Sequence, residues 1–118
     1  MAEVRAQQAR QKITVRRGDI FLVSFDPTIG QEIQKTRPAL VIQNNIGNQY
    51  SPLTIVAAIT STLSLTAYPI EVVIDPSSSN GLNARSAIRL DHIRTIDRQR
   101  LIKRLGRADQ AAMEQAAR

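Results

Sequence analysis

Cysteine is absent from the 118 residues, which excludes disulfide staples, thiolate-held zinc, iron–sulfur clusters and thiol nucleophiles. Histidine occurs once, at His92, so paired-imidazole metal sites and acid–base catalysis by two histidines are excluded as well. The ten carboxylates are scattered along the chain rather than clustered as a calcium or magnesium site requires. Tryptophan is missing, and Phe21, Phe25, Tyr50 and Tyr68 are the whole aromatic complement, a poor supply for a base-stacking platform. No apolar run nears the roughly 20 residues of a membrane span, and residues 1–8 lack the apolar centre of a secretory signal. The expectation is a small cytoplasmic domain that needs neither metal nor cofactor.

What is present fits one folded domain: 42% apolar and 22% charged residues are ordinary for a soluble core of this length. The formal charge of +6 is unevenly spread, at +4 over residues 1–18, −2 over 19–97 and +4 over 98–118. Basic ends of this kind attract polyanions, and equally serve as a solubilising face.

Residues 1–15, rich in Gln, Ala and Arg, read as a flexible basic leader, and 16–118 as the single domain. The fold is expected to start near Arg17-Gly18-Asp19. Strands are expected at 20–25, 38–43, 53–60, 70–74 and 86–90, from β-branched and aromatic runs bounded by turn formers. Pro38 is allowed where no ladder donor is needed, and the unbroken apolar run at 53–60 reads as buried on both faces. Asn44-Asn45-Ile46-Gly47-Asn48 supplies turn chemistry, and the serine tract 77–79 a loop. In the last twenty residues Leu101, Ile102 and Leu105 sit at one-turn spacing, and the alanines from Ala108 onward favour helix. Asp109 falls in its first turn. Several short strands followed by a terminal helix predict a mainly β fold, a small, curved antiparallel barrel whose exposed edge invites pairing with a second copy.

Three segments carry polar residues that folding does not need. Gly30-Gln31-Glu32-Ile33-Gln34-Lys35-Thr36-Arg37-Pro38 puts a carboxylate mid-loop and a guanidinium at a strand end, where geometry is held firmly. As residue types alone, Glu32 and Arg37 read equally as a surface ion pair. Ala57-Ala58-Ile59-Thr60-Ser61-Thr62 ends a buried strand in hydroxyls that either cap the next turn or face a reacting group. In Ser86-Ala87-Ile88-Arg89-Leu90-Asp91-His92, period-two spacing sets Arg89 and Asp91 on one face, as a structural salt bridge or as two groups sharing a cleft. Arg94 and Asp97 read as fixing a corner of the fold, and His92 as a lone histidine of structural use.

Five segments then occur in a telling order: Arg17-Gly18-Asp19-Ile20, Asp26-Pro27-Thr28-Ile29-Gly30-Gln31-Glu32, Thr36-Arg37-Pro38-Ala39-Leu40-Val41, Val56-Ala57-Ala58-Ile59-Thr60-Ser61 and Ile93-Arg94-Thr95-Ile96-Asp97. Over roughly residues 16–106 the chain resembles the MazF/PemK/Kid family of toxin–antitoxin ribonucleases. The resemblance implies an SH3-like barrel of the kind shared with CcdB toxins, with a C-terminal helix and a homodimeric state. It implies a metal-independent endoribonuclease that cuts single-stranded RNA through its own 2′-hydroxyl, leaving a 2′,3′-cyclic phosphate and a 5′-hydroxyl, and that an acidic MazE-like antitoxin neutralises.

By the same resemblance the family arginine falls on Arg37, the threonine on Thr60, the loop glutamate on Glu32, and the Arg-x-Asp pair of PemK/Kid members on Arg89 and Asp91. The first-loop histidine of those members is missing, with Gln31 near its place, and His92 stands where a glutamine is usual. Candidate RNA contacts are Gln31, Gln34, Lys35, Asn44, Ser61, Arg89 and His92. A guanidinium cannot surrender its proton, so Glu32, Asp91 or water must accept the 2′ proton. A CcdB-like gyrase poison and an inactive RNA-binding barrel are the rival readings of the same fold.

Overall fold

The computed structural model describes residues 13–25, 36–61 and 71–116. Six strands, β1 (Asp19–Ser24), β2 (Thr36–Val41), β3 (Leu53–Thr60), β4 (Glu71–Ile74), β5 (Ser86–Asp97) and β6 (Leu101–Arg107), form one antiparallel sheet in the order β4-β5-β3-β2-β1-β6. Among the described residues two helices, α1 (Asn45–Tyr50) and α2 (Gln110–Ala116), accompany the sheet. The fold is mainly β with a terminal helix, as expected. Among the described residues no helix is long and apolar enough to cross a membrane.

Side chains alternate across a strand, and here both faces are apolar. Phe21, Val23, Ala39, Val41, Val56, Ile96 and Leu101 form one buried cluster. Ile20, Leu40, Ala57, Ile59, Val72 and Ile88 form another, on which Ala112 of α2 packs. Neighbours such as Ile20/Phe21, Leu40/Val41 and Val56/Ala57 belong to opposite clusters, which is why their runs are continuously apolar. The expected two-sided burial of the third strand holds at Val56, Ala57 and Ile59, while Leu53 is exposed and Ile55 and Ala58 are half-buried. Packing starts at Val15, which is only 6% exposed within the first cluster, and Arg98 donates to the carbonyl of Ile13. Of the expected leader, Val15 thus packs on the sheet, and Ile13 is tied through its carbonyl to Arg98.

Three expectations are corrected. The segment expected as a turn is the helix α1. Its N-cap Asn44 accepts from the Gly47 amide at 2.8 Å, and Asn48 is buried beneath it. The Asn48 Oδ1 accepts from Thr54 Oγ1 at 2.8 Å and from Gln43 Nε2 at 3.0 Å, so a buried polar network outweighs the low helix propensity of Asn and Gly.

Leu101 and Ile102 are not helical: residues Leu101–Arg107 pair with β1 as β6, with Ile20 opposite Gly106 and Leu22 opposite Lys103. In this tail the described helix is Gln110–Ala116, capped by Asp109, whose carboxylate accepts from the Ala112 amide at 2.8 Å. The strand expected at 86–90 runs on to Asp97, with a register slip against β3: Ala57 faces Ile93, and the next residue, Ala58, faces Arg89. Arg94 therefore lies in a strand, its guanidinium 5.7 Å from the Phe25 ring centroid, while Asp97 caps the single 3-10 turn that follows.

Two glycines fasten the 75–85 loop to β6. Gly81 has φ +70°, and a Cβ there would collide with the Leu105 backbone carbonyl; one on Gly106 would meet the backbone of Ser79 and Asn80. The Arg107 amide donates to the Ser79 carbonyl at 2.8 Å.

Candidate active site

Pro38 has no N–H to give, and the ladder between β2 and β3 runs only from Val41–Val56 to Ala39–Ala58. Carried two residues further, that register sets Arg37 across from Thr60, at the point where the ladder has ended. The proline also restricts the residue before it to extended backbone, so the stem of Arg37 is fixed on both sides, by Pro38 and by its pairing with Val23 of β1. Thr60 is held in turn by its pairing with Ala87 of β5.

A hollow of about 560 Å³ opens at this parting. Arg37, Thr60 and Ser61 reach it from the strand ends. Leu22, Pro38, Ile59 and Leu105 form its apolar floor, and Gly81, Leu82, Asn83, Ala84 and Ser86 its far wall. Lys103 of β6 lines it as well. Its described lining holds two cations and no carboxylate, a charge balance suited to a phosphate. The guanidinium offers a planar fork of donors that fits phosphate oxygens, and a serine or threonine hydroxyl donates beside it.

The other sequence-derived candidates lie elsewhere. Arg89 and Asp91 are absent from this lining and hold each other: Arg89 Nε and Nη2 donate to the two Asp91 oxygens at 2.9 and 2.7 Å. Arg89 also lies 3.7 Å from the carboxylate of Glu71, whose side chain is 5% exposed. His92 sits 3.8 Å from Asp91 with its side chain 58% exposed. Asn44 is spent on capping α1. Glu32, Gln31, Gln34 and Lys35 lie outside the described residues. Lys103 and Asn83 were not among the candidates, because a helical reading of 101–105 gives Lys103 no strand neighbour and a loop asparagine carries no pattern.

The paired hydrogen bonds from Arg89 hold the Asp91 carboxyl below the ordinary aspartate range. A depressed carboxylate favours the folded state at neutral pH, and that contribution disappears as the pH falls through the depressed value. Titration followed by carboxyl-carbon NMR is expected to place Asp91 below the ordinary aspartate midpoint and to move it upward in Arg89→Ala. An unmoved midpoint would dismiss Arg89 as the cause.

The family model described as PemK-like, MazF-like toxin of type II toxin–antitoxin system matches residues 16–118. The chain is 43% identical over 100 residues to endoribonuclease EndoA of Bacillus subtilis, covering 85% of each protein. It is 43% identical over 91 residues to endoribonuclease MazF of Staphylococcus saprophyticus, covering 77% of this chain and 75% of that one. The fold superposes on a chain of the MazE–MazF crystal structure from Deinococcus radiodurans with a TM-score of 0.73 at 25% identity, covering 89% and 90% of the two chains.

Proposed function

The chain belongs to the PemK-like, MazF-like toxins of type II toxin–antitoxin systems, and from that premise we propose that it is an endoribonuclease that cuts single-stranded RNA at the Arg37–Thr60 hollow. The observation that carries the reading is the meeting of those two residues around one cavity of about 560 Å³ whose described lining holds no carboxylate.

In the proposed reaction a ribose 2′-oxygen attacks its own 3′-phosphate, the bond to the departing 5′-oxygen breaks, and a 2′,3′-cyclic phosphate and a 5′-hydroxyl result. The attack is intramolecular, so orientation supplies much of the acceleration. Arg37 meets the charge that gathers on the phosphorane oxygens, and Thr60 adds a hydrogen bond in a partly desolvated site. The 2′ proton passes to a carboxylate or to water, and the departing 5′-oxygen takes up a proton from that acid or from water: Glu32 is the loop acid by resemblance, and Asp91 the strand acid. An Asp91→Asn variant with an unchanged pH–rate profile would strike Asp91 from the step. DNA lacks the attacking hydroxyl and survives.

The active form we propose is a homodimer, and the hollow with its cationic rim is where an acidic antitoxin segment would compete with RNA. MazE–MazF is the assembly crystallised for the Deinococcus radiodurans relative. The test is direct: the purified protein, in EDTA, is given a mixed-sequence RNA pool and the ends are sequenced and chemically typed. Cuts at one short sequence bearing cyclic phosphates are expected. Intact RNA, or cleavage lost on chelation, would refute the reading.

A further inference from the structure

We propose that Lys103, on the edge strand β6, is a second phosphate-binding residue of the site, gripping a backbone phosphate next to the one cut. The inference rests on the nuclease reading above. Its starting point is the register: Lys103 faces Leu22 across β1, and Leu22 faces Pro38 across β2. Lys103 therefore stands in the row of Leu22 and Pro38, one residue along from the row of Arg37 and two strands away, roughly 10 Å between the backbones. Both residues line the same hollow, which sets a second cation two strands from Arg37 for a neighbouring phosphate of the bound strand.

The charges around it single Lys103 out. Its neighbours on β6 are committed: Arg104 Nε lies 3.3 Å and Arg107 Nη1 3.0 Å from Asp19, a carboxylate whose side chain is 3% exposed. No carboxylate lies within ion-pair distance of Lys103 among the described residues. An ammonium on a flexible stem binds phosphate as a point charge without demanding one geometry. That suits it to holding the strand rather than stabilising the reacting phosphorus. Lys103 is thus a substrate-positioning residue, and its loss should appear in KM and in salt dependence rather than in kcat.

Lys103→Ala, Lys103→Arg and Arg85→Ala are compared with the parent protein. Arg85 is the control because it removes the same charge from an exposed position, 3.4 Å from Asp75, outside the hollow. Two readouts are taken: steady-state cleavage of an RNA oligonucleotide, and anisotropy of a fluorescein-labelled, uncuttable 2′-O-methyl RNA pool over a range of salt. We expect Lys103→Ala to raise KM roughly fivefold to tenfold with kcat within twofold. The slope of log affinity against log salt should shrink by about 0.7, one single-strand phosphate contact. Lys103→Arg should restore both, and Arg85→Ala should change neither. Unchanged KM and slope in Lys103→Ala, or an equal change in Arg85→Ala, would overturn the assignment while leaving the nuclease reading intact. Failure of the parent protein to cut RNA would overturn the nuclease reading, and the uncuttable pool would then decide for or against Lys103 as a phosphate contact.

Discussion

Replacing Arg37 by alanine is expected to slow cleavage of single-stranded RNA by at least about a hundredfold, the usual loss when one donor is removed from a preorganised electrostatic site. The loss should fall on kcat and kcat/KM alike, because the phosphorane carries more charge than the ground-state phosphate and the fork is matched to that excess. Arg37→Lys should recover only part of the rate, since an ammonium presents no planar pair of donors. The protein should remain folded: Arg37 is half-buried, and no ion pair engages it among the described residues, so truncation strands no buried carboxylate. Turnover within threefold of the parent, in a variant with an unaltered melting temperature, would remove Arg37 from the chemistry.

The second large effect is structural and acts on the same cavity. Gly81→Ala asks an L-residue to hold φ +70° while its Cβ collides with the Leu105 carbonyl. Left-handed backbone costs roughly 1–2 kcal/mol, and a clash with a main-chain atom that cannot swing aside adds about 1–3 kcal/mol. A total near 2–5 kcal/mol is a large share of the roughly 5–15 kcal/mol that holds a domain together. The melting temperature should fall by about 10 °C or more, measured by circular dichroism. RNA cleavage should weaken even below the transition, because Gly81, Leu82, Asn83 and Ala84 are one wall of the hollow. A melting point within 2 °C of the parent, a margin set by the usual few degrees per kcal/mol, would show that the loop does not press on β6 as described.

Arg37 and Thr60 were legible in the chain because each ends an apolar strand, and a polar side chain at such a place needs a reason to be there. The register that brings them together was not legible, since it follows from where Pro38 stops a ladder. The strand β6 was hidden by accident of spacing: Leu101 and Leu105, four apart, satisfy a helical stripe, whereas in β6 a register shift sends them to opposite core clusters. What decides the matter is tertiary, the fit of Gly106 under the Ser79–Asn80 backbone, which no local pattern records. The helix α1 was missed for a similar reason. Its residues are poor helix formers, and the buried Asn48–Thr54 network that holds them joins positions on separate elements. Arg89 and Asp91 were correctly placed on one face, and the structure pairs them with each other rather than with the hollow.

Asp19, sunk at the head of the first strand, bears on how the molecule meets an approaching polyanion. It absorbs Arg104 and Arg107 from behind, while Arg98 gives its guanidinium to the carbonyls of Ile13 and Asn48. Two of the six cations in the closing segment are therefore partly offset by one buried carboxylate, and a count of basic letters overstates the pull of the tail. Lys103, on the same strand as Arg104 and Arg107, keeps its charge beside Arg37 at the mouth of the hollow, where an arriving polyanion would meet the proposed cutting site.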